Sequence, residues 1–245
     1  DQIKKYLNLL NPNDTVLEIG CGSGILLSLI NENYRYINLL GVEPLAKGFE
    51  ELRELNTLNK KDGLEIQNIK FEEIETFKRF NLIFCINVFE HIDDWKKFLI
   101  KAKYLLKKDG KLIILCPNYG FPYESHFGIP IIINKKLTYL IFQSYIKKFQ
   151  FKNSLGIWKS LNFVTKKEIK KYLQNDEHFR DFKMIDHKQI IDDMIERSLK
   201  DIKFRKRQNF IASIGILLRK TGIIKFFLLF PDFLPYMKLE LFFED

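Results

Sequence analysis

Short apolar runs and longer amphipathic stretches alternate along the first half of the chain. The apolar runs predict strands at 15–19, 37–43, 80–87 and 111–118, and a weaker strand and turn at 66–74. Helical spacing of apolar positions predicts helices at 1–10, 24–33, 46–56 and 93–106, and KKDGK at 107–111 predicts a turn. Strands that alternate with helices of about 10 to 15 residues are typical of parallel β–α units, so we predict an α/β fold with a doubly wound sheet.

The pattern changes after Cys116. Residues 118–130 are rich in glycine, proline and aromatic residues, which is typical of an irregular loop. Helical stretches follow at 134–152, 158–174, 186–210 and 210–235, and Thr165 with Glu168 predicts a capping box. Alternation of apolar and polar residues at 236–243 predicts an antiparallel edge strand. The division expected is a core at 1–120, an acceptor loop with a helical insertion or lid at 121–230, and returning sheet structure at 231–245.

The composition is that of a globular chain with a surplus of basic residues. Its 245 residues are 46% hydrophobic, which suits one domain with an elaboration or a small lid and excludes a disordered class. Lys and Arg number 40 against 31 Asp and Glu, and the net charge of +9 favours anionic partners such as phosphates, nucleotides, nucleic acid or an acidic membrane face. A solvated basic surface explains the same charge, and both interpretations stay open.

The cysteines and the hydropathy bear on the compartment. Cys21, Cys85 and Cys116 lie in or beside apolar runs without metal-ligand spacing, so we expect core thiols in a reducing compartment and no metal site. No secretory signal is seen, and the longest apolar stretch, 210–235, is interrupted by basic residues. We expect a cytoplasmic protein in which this stretch forms a buried or lid-forming helical pair, with contact to a membrane surface as the alternative.

The stretch VLEIGCGSG at 16–24 predicts a ligand site. It places Gly20, Gly22 and Gly24 directly after a strand and before a helix, where bare backbone can approach a ligand closely. The spacing is G-x-G-x-G, whereas the dinucleotide fingerprint needs G-x-G-x-x-G. Glu18 would repel a pyrophosphate and attract an ammonium group. A ligand with a cationic amino acid end and a nucleoside end therefore fits this loop better than NAD does.

These residues resemble motif I of the class I S-adenosylmethionine-dependent methyltransferases. GVEP then places Glu43 at the end of the second strand, where that family binds the ribose. FNLIFCINVFEHIDD resembles the family's fourth-strand motif, with Asn81 where Asp is usual, and LLKKDGKLIILCPN resembles the following turn and strand, with Lys111 replacing a glycine. The resemblance covers roughly residues 1–120. It implies a seven-stranded Rossmann-like sheet with its last strand antiparallel.

The resemblance also implies S-adenosylmethionine as cofactor and S-adenosylhomocysteine as its product. Glu18 would orient the loop or hold the methionyl amine, and Glu43 would bind both ribose hydroxyls. The residues implied at the methionyl and ribose end are Gly20, Cys21, Gly22, Ser23 and Gly24. Those implied at the adenine are Pro44, Leu45, Phe71 and Glu72, and those near the sulfonium are Asn87 and Val88. For Phe71, a place in the hydrophobic core is an equally good interpretation.

Candidate catalytic residues lie mainly in the loop PNYGFPYESHFGIP at 117–130. Methyl transfer from a sulfonium depends on alignment and exclusion of water, and an alcohol acceptor also gains from a general base. Tyr123, Glu124 and His126 are polar groups in a proline-rich loop that follows the fifth strand, at the edge of the sheet where ligands bind. His91 is a further candidate base, with capping of its own loop as the alternative role.

The loop also resembles a segment of methyltransferases from bacterial capsule and lipopolysaccharide gene clusters. This second resemblance implies an O-methyltransferase acting on a sugar, or on an anionic group carried by a sugar or nucleotide, such as a phosphoramidate. For such an anionic oxygen, His126 would bind charge instead of taking a proton.

Other functions stay open at this point. A quinone or lipid O-methyltransferase would account for the apolar segment at 223–235, and a cofactor-binding inactive partner subunit would account for the departures at Asn81 and Lys70. A nucleic-acid methyltransferase is disfavoured, because the sequence has no N-P-P-Y or D-P-P-Y tetrad and no Pro-Cys dipeptide. We expect a small-molecule acceptor and no nucleic acid as partner, and a homodimer is left open.

Overall fold

The computed structural model describes residues 2–44, 64–75, 78–153 and 156–244, with the side chains of 151–153 and 207–210 outside that description. The helix predicted at 46–56 therefore lies outside the described residues. The chain divides into two compact units. Unit 1 comprises Asp1–Leu115, Glu177–Ile185 and Leu239–Asp245, and unit 2 comprises Cys116–Asp176 and Asp186–Lys238.

Unit 1 is built from the predicted β–α repeats. Its helices are α1 Lys4–Leu7, α2 Ile25–Asn33 and α3 Trp95–Leu105. The parallel strands are β1 Thr15–Ile19, β2 Asn38–Val42, β3 Leu64–Gln67, β4 Phe80–Ile86 and β5 Leu106–Pro117. Most residues of these strands are buried, which is why they appear in the sequence mainly as continuous apolar runs. The predicted turn at 107–111 is wrong, because these residues belong to β5, with a register shift between Phe80 and Leu82 of β4.

The sheet has seven strands in the order β3-β2-β1-β4-β5-β9-β8, where β8 is Phe182–Asp186 and β9 is Tyr236–Phe243. The amide of His187 donates to the carbonyl of Lys238, and that of Glu244 donates to Asp181, so β9 is antiparallel to β8. The α/β doubly wound fold with an antiparallel last strand is thereby confirmed.

β9 is not the edge strand that its alternating sequence predicted, because it lies between β5 and β8. Its polar positions are buried and partnered instead of solvated. Glu240 accepts hydrogen bonds from the Tyr6 hydroxyl at 2.8 Å and the Lys111 ammonium at 2.6 Å. A charged residue can occupy a central strand when such partners replace water.

Unit 2 begins with the irregular loop and continues as helices. A two-stranded ribbon pairs β6 Tyr123–Glu124 with β7 Ile129–Pro130. Its helices are α4 Lys135–Asn153, α5 Ile157–Ser160, α6 Lys166–Asn175, α7 Ile190–Lys200, α8 Ile202–Lys220 and α9 Ile224–Phe227. The capping box of Thr165 and Glu168 is confirmed. The stretch predicted as one helix at 186–210 is divided at Asp201, whose side chain caps α8.

The core of unit 2 is aromatic. The ring of Trp158 packs edge-on against Phe127 and Phe163, and Tyr119 stacks on Phe163 at 4.4 Å between ring centroids. This cluster lies behind the loop that carries Glu124 and His126, and it fixes the loop by packing. Within the described residues, no helix has both the length and the apolarity that crossing a membrane requires.

Candidate functional site

The glycine loop connects β1 to α2 and is held by the neighbouring strand. The amides of Gly20 and Cys21 donate to the carbonyl of Val42 at 2.8 and 3.2 Å. Gly20 has a φ of +70°, and a Cβ built on it would lie 2.3 Å from a Val88 methyl carbon. Only glycine meets both demands, since the conformation is left-handed and the space is filled.

Gly22 has a different surrounding. Its φ is +54°, but a Cβ there would meet no atom within 4 Å in the described part of the chain. Its amide donates to a carboxylate oxygen of Glu43 at 2.9 Å. The loop therefore presents open backbone at Gly22, while the acid at the end of β2 lies directly against it.

Glu18 lies beneath this loop in a nearly dry environment. Its side chain is only 5% exposed, and its Oε2 atom accepts no hydrogen bond from any residue that the structure describes. Burial, and then the charge of Glu43, raises the pKa of the Glu18 carboxyl from 4.5 to about 8. A buried carboxyl with an unsatisfied oxygen is a ready acceptor for a cationic ligand group.

This pKa predicts a pH-dependent stability in the absence of cofactor. Between pH 4.5 and about 8 the folded protein holds the Glu18 proton that the unfolded chain has lost. The free energy of unfolding should therefore decrease as pH rises through this window. The stabilising contribution of the Glu18 proton is fully present below pH 4.5. Glu18→Gln should flatten the slope in urea titrations. Glu65→Gln, at an exposed carboxylate on β3, is the control; an unchanged slope in Glu18→Gln would contradict the assignment.

The remaining predicted cofactor residues that the structure describes lie at the ends of β2 and β4 or in the turn that follows β3. Asn87 follows β4 with a φ of +56°, and its amide donates to the carbonyl of Leu115 at 2.8 Å. Phe71 is buried and packs on Phe98 at 4.7 Å, in the manner of a core aromatic residue. Pro44 and Glu72 are exposed, and Leu45 lies outside the described residues.

The contacts of Asn81 explain why asparagine can replace the aspartate that is usual at this position. Its Oδ1 atom accepts hydrogen bonds from the backbone amide of Thr15 at 3.0 Å and from the Thr15 hydroxyl at 3.2 Å. An amide oxygen makes both contacts as well as a carboxylate does. Asn81 therefore connects the start of β1 to β4 by hydrogen bonds, and this role is structural.

In unit 2, the loop after β5 forms a histidine–carboxylate pair. The Glu124 carboxylate is fully buried and lies 2.7 Å from Nδ1 of His126. It also accepts from the amides of His126 and Phe127, at 3.2 and 2.7 Å, and from the Tyr119 hydroxyl at 3.3 Å. With this many donors directed at it, the carboxylate acts as an acceptor, so Nδ1 of His126 donates to it.

The remaining predicted catalytic residues are divided between the two units. Tyr123 precedes Glu124 on β6, and burial, followed by the charges of Glu124 and Tyr145, raises the pKa of its phenol. The His126 side chain remains 23% exposed, which leaves it accessible to a ligand. His91 belongs to unit 1, in the short 3-10 turn Phe89–His91 after β4. His178 and His187 lie near the ends of β8.

Asn118 is a residue whose importance the sequence pattern does not reveal. Its Oδ1 atom accepts from the amides of Gly120 and Lys166, both at 3.0 Å, and its Nδ2 group donates to the carbonyls of Asp232 and Leu234. This buried amide ties together three distant segments of unit 2. The only sequence feature that pointed to Asn118 is its position directly after Cys116 and Pro117 at the end of β5. A single sequence does not distinguish Asn118 from an ordinary loop asparagine.

Fold and loop together define the class of this protein. A sheet of this strand order, a strand–glycine loop–helix unit with a buried acid, and a second acid on the next strand are the features of a class I S-adenosylmethionine-dependent methyltransferase. The family is shown directly by the sequence. Residues 1–201 match the family described as Methyltransferase domain, and the chain belongs to it. The protein is a methyltransferase whose cofactor is S-adenosylmethionine.

Curated relatives cover the chain to different extents. An uncharacterized protein of Mycobacterium tuberculosis is 30% identical over 220 residues, covering 87% of this chain and 73% of that protein. A malonyl-[acyl-carrier protein] O-methyltransferase of Calditerrivibrio nitroreducens is 29% identical over 133 residues, covering 54% and 49%. A ubiquinone biosynthesis O-methyltransferase of Rhodopseudomonas palustris is 26% identical over 117 residues, covering 48% and 44%.

Solved structures confirm the fold. The plantazolicin methyltransferase BpumL, solved with S-adenosylhomocysteine, is 15% identical with a TM-score of 0.58, and the match covers 100% of this chain and 82% of that one. The cyclopropane synthase MmaA2 from Mycobacterium tuberculosis is 16% identical with a TM-score of 0.53, and the match covers 98% and 81%. At these identities the likeness concerns the fold alone.

Proposed function

We propose that this protein transfers a methyl group to a hydroxyl oxygen of a sugar in a surface-polysaccharide precursor. The observation that carries the proposal is the 2.7 Å contact between His126 and the fully buried Glu124 carboxylate. Such a pair orients an imidazole as a general base, and a neutral hydroxyl is the acceptor that needs one. The O-methyltransferases among the relatives support an oxygen acceptor.

The cofactor-binding part of the proposal rests on unit 1. S-adenosylmethionine, when bound, supplies a methyl group on a positively charged sulfur. Glu18 would hold the ammonium group of its methionyl end, because the buried Oε2 atom needs a donor. Glu43, at the end of β2, would bind the ribose hydroxyls while it still accepts the hydrogen bond from the Gly22 amide. The open space at Gly22 would admit the ligand close to the backbone.

In the chemical step, the residues of this chain would move one proton and hold the groups that move it. Nε2 of His126 takes the proton of the acceptor hydroxyl as its oxygen attacks, and Glu124 stabilises the imidazolium through Nδ1. Tyr119 and the amides of His126 and Phe127 keep the carboxylate in place. The aromatic packing behind the loop limits its motion, which preserves alignment.

A sugar-linked anion, such as a phosphoramidate oxygen, is the alternative within this acceptor class. The net charge of +9 favours it. Its oxygen is already ionised, so His126 would bind it as a cation. The two modes predict opposite pH dependence, because a general base must be neutral and an anion-binding imidazole must be charged.

A methyl-transfer assay over several acceptor classes tests the proposal. The protein is incubated with S-adenosylmethionine and, separately, sugar nucleotides, capsule-type oligosaccharides, a quinol and a fatty acyl carboxylate, and the products are analysed by mass spectrometry. We expect methylation of a sugar compound, in a product whose methyl ether survives mild alkali. A product cleaved by mild alkali would be a methyl ester, and preference for the quinol would favour a quinone O-methyltransferase; either result would overturn the sugar hydroxyl as acceptor.

A further inference from the structure

Unit 2 exposes a cluster of large apolar side chains near its end. We call this cluster the phenylalanine patch; its members, each at least 38% exposed, are Ile223, Phe226, Phe227, Leu229, Phe230 and Phe233. The ring of Phe226 lies 5.2 Å from that of Phe230 and 6.3 Å from that of Phe227. These three rings therefore form one surface, with the other exposed apolar side chains within a few residues of them in the sequence, and contiguous apolar patches mark interaction sites.

The patch is held firmly in this exposed arrangement. Ile224 of α9 and Leu234 after the patch are buried, so both ends are anchored in unit 2. The Asn118 side chain donates to the carbonyls of Asp232 and Leu234 at 2.9 and 2.8 Å. The exposed rings are thus part of a fixed turn, and their exposure does not result from fraying.

Basic side chains outnumber acidic ones around the patch. Arg219, Lys220 and Lys225 are exposed beside it. The sequence has no acidic residue between positions 202 and 231, and the one acid within the patch, Asp232, is half-buried. Apolar side chains flanked by a surplus of basic residues match the surface of an anionic bilayer, where rings enter the headgroup region and cations contact lipid phosphates.

We propose that the phenylalanine patch docks the protein on an anionic lipid surface. The proposed contact is a peripheral one, made by the exposed apolar side chains and the basic residues beside them. The proposal is independent of the methyl acceptor, since it rests only on exposed residues of the patch and its basic neighbours. Its consequence is that the methyltransferase would work at the membrane face, whichever acceptor it uses.

Vesicle sedimentation tests the proposal. We expect the protein to bind phosphatidylcholine vesicles that contain about 30% phosphatidylglycerol at least about ten-fold more tightly than vesicles of phosphatidylcholine alone. Phe226→Ser with Phe230→Ser should weaken this binding about ten-fold or more, because the protein loses two rings that would enter the lipid headgroup region. Lys220→Gln with Lys225→Gln should remove most of the preference for the anionic lipid.

The matched control is Leu140→Ser with Ile141→Ser, which removes two side chains of α4 that are 63% and 56% exposed in the same unit. This variant should bind vesicles as the unmodified protein does. Thermal unfolding and S-adenosylhomocysteine affinity establish that every variant is folded. Absence of vesicle binding by the unmodified protein, or equal binding by the patch variant, would overturn the proposal. So would a dimer that only the patch substitutions dissociate, since it would make a second copy of the chain the occupant.

Discussion

Replacing His126 by alanine is expected to lower turnover about 100-fold or more while changing S-adenosylhomocysteine affinity less than about two-fold. The reason is the geometry of the loop. Nδ1 of His126 contacts the buried Glu124 carboxylate, so a proton taken from an acceptor would go to Nε2. Single-turnover kinetics with the methylated product as readout, together with calorimetric titration of S-adenosylhomocysteine, measure the two quantities separately.

The control and the pH profile make this prediction decisive. His178→Ala, at an exposed histidine of unit 1, should leave turnover unchanged. Activity of the unmodified enzyme should rise with pH, because a general base must be neutral to take a proton, and added imidazole should partly restore the activity of His126→Ala. Activity that instead falls with rising pH would identify His126 as an anion-binding group, and loss of cofactor affinity in a folded His126→Ala protein would assign the loop to the cofactor site.

Gly20→Ala is expected to destabilise unit 1 by about 3 kcal/mol, of which about 1 to 2 kcal/mol comes from a non-glycine residue in the left-handed conformation. The rest comes from the Val88 side chain, whose methyl carbons would lie 2.3 and 2.8 Å from the new Cβ. Urea denaturation monitored by tryptophan fluorescence or circular dichroism measures the loss.

Gly22→Ala is the matched control, because Gly22 shares the positive φ but has open space around it. It should cost only the conformational part, about 1 to 2 kcal/mol, while weakening S-adenosylhomocysteine binding through the Cβ that now projects from the loop. Gly20→Ala combined with Val88→Ala should recover part of the stability. If the two glycine variants were equally unstable, Val88 would not be the cause.

The sequence predicted the part of the fold that depends on local pattern. Buried parallel strands produce continuous apolar runs, so the apolar pattern alone locates β1, β2, β4 and most of β5. The acid Glu43 against the Gly22 amide is likewise a consequence of two motifs at the ends of adjacent strands. The assignments of individual cofactor and catalytic residues remain predictions.

The errors share a physical cause, which is contact between residues far apart in sequence. The alternation in β9 resembled an edge strand because the sequence does not show that Tyr6 and Lys111 would satisfy Glu240. KKDGK resembled a turn because its lysines and glycine favour one locally, whereas pairing with β4 extends β5 through it. Asn118 escaped notice because its partners lie as far away as Lys166 and Leu234.

The position of β9 has a consequence for how the chain folds during synthesis. β8 has β9 as its neighbour and is separated by it from β5, although β8 is made first. While residues 187–235 emerge from the ribosome, β8 therefore has no native place in the sheet, and the exposed edge of β5 must wait for the last strand. Completion of the sheet becomes a late, non-local step, and this interval is when a chaperone would be of most use to the nascent protein.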